Sequence, residues 1–278
     1  MSAVLVTGAS SGIGAATVEA LAQRGFTVYA GVRDGHDAER LRALHANVRP
    51  LLLDVTDAAA IAAAALRLRG DGVALAALVN NAGIALGGPL ESIPVEDLRH
   101  QFEVNVFGAL ALTQALLPLL RAQPSRIVFI GSVSGRMPMP YVAPYSASKF
   151  ALRAFAEALR IELRPARIEV CLIEPGSVAT PIWSKGRAMG DRMMRRITPA
   201  MPDYYRDATA SLVRSIEGEE RGGMPAGTVV DAIVRALTDA RPKPRQVLGA
   251  TARLGATLAM LLPARLYDRF VRATMKLP

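Results

Sequence analysis

The chain has 278 residues, 51% of them hydrophobic, enough for one large α/β domain that buries most of its apolar surface. Three His (His36, His45, His100) and one Cys (Cys171) fall without ligand spacing, which argues against a zinc site or a disulfide framework and for an intracellular chain. The net charge of +9 invites a nucleic-acid reading, but residues 241–278 hold eight Lys or Arg against one acid, Asp268. That leaves 25 basic against 23 acidic side chains in the first 240 residues, with no sign of a phosphate-tracking groove over the body of the protein.

"MSAVLVTGAS" enters the first expected strand, Ala3–Thr7, with no basic leader or cleavage site, so a cytoplasmic protein is expected. Further strands are expected at Thr27–Val32, Arg49–Leu53, Ala77–Asn80, Arg126–Gly131, Ile168–Glu174 and Gln246–Leu248. Helical periodicity marks Gly12–Arg24, Ala58–Arg69, Val95–Arg121, Ser146–Arg164 and Thr228–Thr238. Continuous Val, Ile and Leu runs alternating with helices predict an α/β fold, a doubly wound parallel sheet of about seven strands of Rossmann type. The expected organisation is one catalytic domain over residues 1–250, with a substrate-binding lid at 181–227, and a basic amphipathic extension at 251–278.

In such a sheet ligands bind beyond the carboxyl ends of the strands, and every chemical motif falls at one of those ends. Between the first strand and first helix, "TGASSGIG" places Gly8, Ser10, Ser11, Gly12, Ile13 and Gly14 where a backbone turn can approach a pyrophosphate at a helix N-terminus. "YSASK" sets Tyr145 and Lys149 four apart, on one face of a helix. After them Phe150, Ala154, Phe155 and Ala158 follow at helical intervals and predict that helix's buried face. Ser132 ends the strand "RIVFIGS", with Ser134 as a nearby competitor, and Asn105 interrupts a helix interior that its propensity does not favour. Cys171, in "IEVCLIEP", reads as a small buried strand residue.

Together with "LLLDV" at 51–55, "NNAG" at 80–83, "VNVFG" at 104–108, "GSVSG" at 131–135 and "EPGSVAT" at 174–180, these motifs resemble, in order, the classical short-chain dehydrogenase/reductase family. The resemblance spans residues 4–180 and implies hydride exchange between a nicotinamide cofactor and a hydroxyl or carbonyl group. It implies that Asp54 accepts from the adenine amine beside Val55, that Asn81, Ala82 and Gly83 line the adenosine ribose, and that Pro175, Gly176, Val178 and Thr180 flank the nicotinamide. Asn80 would brace the strand ends. Tyr145 would be the general acid in reduction and base in oxidation, with the Lys149 ammonium lowering its pKa and reaching the nicotinamide ribose. Ser132 would hold the substrate oxygen, and Asn105 would anchor a water linking Lys149 to solvent.

At the tip of the second strand, Val32 cannot accept from a ribose hydroxyl, whereas Arg33 can pair with a 2′-phosphate, which favours NADP(H). Asp34 stands as the alternative ribose ligand and keeps NAD(H) possible. Met189, Met193, Met194, Met201 and Met224, with Trp183, Tyr204 and Tyr205, and Met137 and Met139 near Ser132, offer either an adaptable apolar pocket or ordinary core. The pocket reading predicts a small hydrophobic substrate, a lipophilic alcohol or ketone of steroid or retinol type. The helices carrying Asn105 and Tyr145 imply a homodimer or homotetramer by the same resemblance. The tail has an apolar run of only nine residues, Leu254 to Leu262, Thr257 included, too short to cross a bilayer. It reads as a helix over the cleft, a peripheral membrane contact, or, least of all, a nucleic-acid contact. An NADP(H)-binding sensor or scaffold is the alternative to an enzyme, opposed by the retention of Ser132, Tyr145 and Lys149.

Overall fold

The computed structural model describes residues 2–180, 182, 202, 205 and 222–275. Seven strands form one sheet in the order β3-β2-β1-β4-β5-β6-β7: β1 Ala3–Val6, β2 Thr27–Val32, β3 Val48–Leu52, β4 Leu75–Asn80, β5 Ser125–Ile130, β6 Ile168–Pro175 and β7 Arg245–Leu248. Every pairing is parallel. The chain winds outward from β1 to β3, then returns to β4 on the other side of β1, so the strand order reverses between β1 and β4. A cleft opens at such a reversal.

Strand residues alternate between two core layers, as the pleat requires. Leu5, Tyr29, Leu78, Ile127 and Leu172 meet α3 (Ala58–Gly70), α5 (Gly108–Leu120) and α6 (Ala143–Glu162) through Leu68, Leu112 and Leu152. Val4, Val6, Val28, Val128 and Ile173 meet α1 (Gly12–Gln23) and α7 (Ala226–Thr238) through Val18, Leu21, Val229 and Ile233. Continuous apolar strands follow from this two-sided burial. Leu112 is fully enclosed, and its replacement by Ala would cost about 2–5 kcal/mol.

Three expectations need correction. A helix absent from the sequence reading, α2 (Gly35–Arg42), follows β2, and Asp34 is its N-cap, accepting from Asp37 N at 2.8 Å. The expected helix Val95–Arg121 is α4 (Val95–Phe102), a π-helical turn Glu103–Phe107 and then α5. Helix α6 starts at Ala143, with Pro144 in its first turn, and its buried face is Tyr145, Ser148, Lys149, Leu152 and Ala156 rather than the predicted one. Phe150 and Phe155 point outward at 38% and 39% exposure, because the polar Lys149 side takes the inner face.

The tail forms α8 (Ala250–Leu261) and α9 (Ala264–Met275), separated at Pro263. Most of the expected lid, including Trp183, Met189, Met193, Met194, Met201 and Tyr204, lies outside the described residues. Tyr205 meets Tyr141 edge-to-face at 6.2 Å, and Met224 bridges to Val178.

Candidate active site

The glycine turn after β1 is shaped by contacts no side chain would permit. Gly8 and Gly12 have φ of +63° and +56°, and a Cβ on Gly14 would lie 2.2 Å from the Gly8 carbonyl oxygen. Gly14 is therefore the close crossing of α1 under the turn and does not border the cavity beside it. Thr7 Oγ1 accepts from the amides of Asn81 and Ala82 at 3.0 and 2.9 Å, while Asn81 Nδ2 donates to the Thr7 carbonyl at 2.8 Å. The Asn81 amide nitrogen thus braces the turn where β1 and β4 diverge. Asn80 donates to Thr113 Oγ1 at 3.0 Å and ties β4 to α5.

A cavity of about 430 Å³ opens over this turn. Of the sequence-derived set it is lined by Gly8, Ser10, Ser11, Gly12 and Ile13 from the turn, Arg33 from the end of β2, and Asp54 and Val55 after β3. Asn81, Ala82, Gly83 and Thr180 complete that part. Pro175, Gly176 and Val178 lie off this cavity, on the β6 side: Gly176 N donates to the Leu248 carbonyl at 3.0 Å, and Val178 bridges to Met224. Sequence reasoning missed Gly31, Leu53, Thr56, Ile84, His100, Val104 and Ile182 as lining. Thr56 had a signal, since it follows the "LLLDV" motif; His100 on α4 had none.

The cavity has the size of a small-molecule site and the features of a dinucleotide cradle: close-approach glycines, a helix N-terminus and a cation at its β2 edge. Asp34 is committed to capping α2, and Arg40 of α2 donates to the Ser10 carbonyl at 2.6 Å, fixing that helix against the turn. Burial pulls the Asp54 carboxyl up, yet hydrogen bonds from Thr56 N (2.9 Å) and Oγ1 (2.7 Å), with Arg33 and His100 nearby, hold it below its usual value. The α3 cap is Asp57, not Asp54. Among the described residues Asp34, His36 and Asp37 form a surface cluster at the start of α2, where Asp34 already caps the helix.

The catalytic candidates converge from β5, the π-helical turn and α6. Ser132 caps the short turn Val133–Gly135 by accepting from Ser134 N at 3.1 Å, which fixes it ahead of Ser134. The Ser132 hydroxyl stands close enough to the Tyr145 phenol to pull its pKa down. Lys149 Nζ donates to the Ile130 carbonyl at 2.8 Å and stands 5.7 Å from the Tyr145 ring centroid. The expected depression of the phenol is absent: burial pushes Tyr145 up to about 12, with Ser132 pulling back only weakly, and burial pushes Lys149 down to about 8. Both groups are more than nine-tenths enclosed, and the ammonium is aimed at a carbonyl rather than at the phenol oxygen.

Asn105 sits in the π-helical turn, an irregularity that recurs at functional sites. Its Oδ1 accepts from Ile84 N at 2.8 Å, and its Nδ2 donates to the Ile84 carbonyl at 2.9 Å and to Ser148 Oγ at 3.0 Å. The side chain is a clamp between α6 and the loop after β4. A Cβ on Gly83 would stand 3.3 Å from Asn105 Oδ1 and 3.7 Å from Lys149 Nζ, so the loop enters the cluster at a glycine.

A further contact was not legible in the sequence. Arg136 Nε donates to Glu174 Oε2 at 2.7 Å, with the two side chains 11% and 1% exposed. Arg136 follows the serine turn, and Glu174 precedes Pro175. Cys171 is a buried, free thiol of β6.

The sequence matches the family description "short chain dehydrogenase" over residues 2–190. It is 35% identical over 280 residues, 98% of this chain and 96% of the other, to an NADPH-dependent 3-dehydrocapnine reductase of Ornithobacterium rhinotracheale. It is 36% identical to 11-beta-hydroxysteroid dehydrogenase type 2 of Oryctolagus cuniculus over 99% of this chain and 71% of that one. The fold superposes on a short chain dehydrogenase from Burkholderia cenocepacia J2315 in complex with NADP, with a TM-score of 0.73 and 29% identity, covering 100% and 98% of the two chains. The chain belongs to the short-chain dehydrogenase/reductase family of oxidoreductases.

Proposed function

We propose that the protein is an NADP(H)-dependent oxidoreductase that interconverts a hydroxyl and a carbonyl group, with Tyr145 as its acid and base. The observation that carries this reading is the Tyr145 phenol set against Ser132, one helical turn from Lys149, whose Nζ lies near Gly83 of the glycine-turn cavity. Gly8, Ser10, Ser11, Gly12 and Ile13 would hold the pyrophosphate, Asp54 and Val55 the adenine end, Asn81, Ala82 and Gly83 the ribose side, and Pro175, Gly176, Val178 and Thr180 the nicotinamide end. Arg33 would take a 2′-phosphate. When bound, the nicotinamide supplies or accepts the hydride.

The residues handle the proton. With its value at about 12, Tyr145 is a neutral phenol near pH 7 and has a proton to give to a developing alkoxide. Ser132 holds the substrate oxygen beside it, and a hydrogen bond that strengthens as charge develops lowers the barrier. In oxidation the same phenol oxygen takes the proton back, favoured by the Lys149 ammonium where that is charged. Asn105 clamps the loop beside Lys149 and would anchor the water through which its charge is replenished.

The substrate would be a lipophilic alcohol or ketone. Support comes from the partly buried Met137 after the serine turn, the Tyr141–Tyr205 pair, and the steroid named for one relative. A homodimer or homotetramer is supported by the outward aromatic residues Phe107, Phe150 and Phe155, 51%, 38% and 39% exposed on the π-helical turn and α6. We also assign residues 1–250 as the catalytic domain, 181–227 as its lid and 251–278 as an extension. The test is a panel of carbonyls and alcohols followed at the NADPH absorbance band, in parallel with NADH. Turnover of lipophilic ketones with NADPH is expected; turnover of small polar sugars alone would overturn the substrate reading.

A further inference from the structure

We propose that the two C-terminal helices α8 and α9 dock the protein on the surface of an anionic lipid bilayer. One side of these two helices is already used. Ala252, Gly255, Ala256 and Val271 are buried, a Cβ on Gly255 would come 3.0 Å from Met137 Sδ, and Tyr267 Oη donates to the Pro138 carbonyl at 2.9 Å. Both helices therefore lean on the segment that follows Ser132.

The other side is open and apolar. Leu254, Met260, Leu261 and Leu266 are 62%, 74%, 69% and 47% exposed. Leu254 and Leu261 are two turns apart and share a helix face, while Met260 and Leu266 flank the corner at Leu262 and Pro263. Exposed arginines accompany them: Arg253 beside Leu254, and Arg265, Arg269 and Arg272 on successive turns of α9. Residues 241–278 carry eight cations against Asp268 alone.

Charge decides the occupant. A second copy packed on this face would set arginine against arginine with one acid to offset them. A nucleic acid would satisfy the cations but leave four aliphatic side chains in water, and the aromatic rings of α9, Tyr267 and Phe270, are only partly exposed, with Tyr267 held on the Pro138 carbonyl. An anionic bilayer takes both sets, the leucines and Met260 at the acyl boundary and the arginines at the headgroups. Helices of 12 residues are too short to span it. Docking would turn the Met137 side of the cleft toward the lipid, an advantage that rests on the lipophilic-substrate reading above.

The experiment is co-sedimentation of the full chain with vesicles of phosphatidylcholine alone or containing about one-third phosphatidylserine. Binding to the anionic vesicles, weakened by salt, is expected. Met260→Ser/Leu261→Ser and Arg265→Glu/Arg269→Glu should each lower the partition coefficient by at least about tenfold, with circular dichroism and NADPH binding unchanged. Four results would overturn the proposal: no binding, equal binding to neutral vesicles, full binding by the folded variants, or self-association or oligonucleotide binding in place of lipid binding. Vesicle binding needs no turnover, so its failure is distinct from failure of the carbonyl panel.

Discussion

Arg136 and Glu174 form a buried ion pair, 2.7 Å from Nε to Oε2, that joins the turn carrying Ser132 to the end of β6. Among the described residues Arg136 Nη2 and Glu174 Oε1 have no hydrogen-bond partner, so the pair is incompletely satisfied. Removing one member strands the other charge. Arg136→Ala is expected to cost about 3–5 kcal/mol in chemical denaturation, while Arg136→Met/Glu174→Leu recovers most of that loss. Equal losses in the single and double variants would show that the charges do not depend on each other.

Arg33 is the cation at the β2 edge of the cavity, and Asp34 is spent on capping α2. Arg33→Ala should weaken NADPH binding about tenfold or more, the worth of one charged hydrogen bond, and leave NADH nearly unchanged. Fluorescence titration with both cofactors measures this. Parallel losses would mean that Arg33 acts on the shared part of the dinucleotide.

Burial places Lys149 at about 8 against an ordinary 10.5, so the folded chain binds fewer protons than the unfolded chain between those values. Stability from this group rises with pH across that window. The advantage of Lys149→Met over the native chain should therefore narrow by on the order of 3 kcal/mol as pH climbs through it. Tyr145, raised to about 12, works the other way: its contribution is full below 10 and is lost as pH rises through 12. Denaturation midpoints that track in parallel from pH 8 to 10.5 would show that Lys149 is not desolvated as described.

Much of this site was legible because its residues answer to local rules. The glycine turn announces itself through residues that alone tolerate positive φ or a contact of 2.2 Å, and Tyr145 and Lys149 through helical spacing. What escaped depends on tertiary context. Helix α2 buries only Ala38 and Leu41, too little for a periodic signal, and stands on its Asp34 cap. The π-helical turn at Asn105 and the Arg136–Glu174 pair, 38 residues apart in sequence, exist only once α6 and β6 are packed. The inner face of α6 was misassigned because Lys149, a residue usually exposed, is buried there on the Ile130 carbonyl.

The central claim is that the Tyr145 phenol moves the proton. Tyr145→Phe removes one oxygen and leaves the glycine-turn cavity, which Tyr145 does not line, intact. Single-turnover oxidation of NADPH on an accepted ketone, alongside a titration of NADPH affinity, measures this most directly. The account predicts a rate at least about a hundredfold lower with affinity unchanged; an unaltered rate in the folded variant would contradict it.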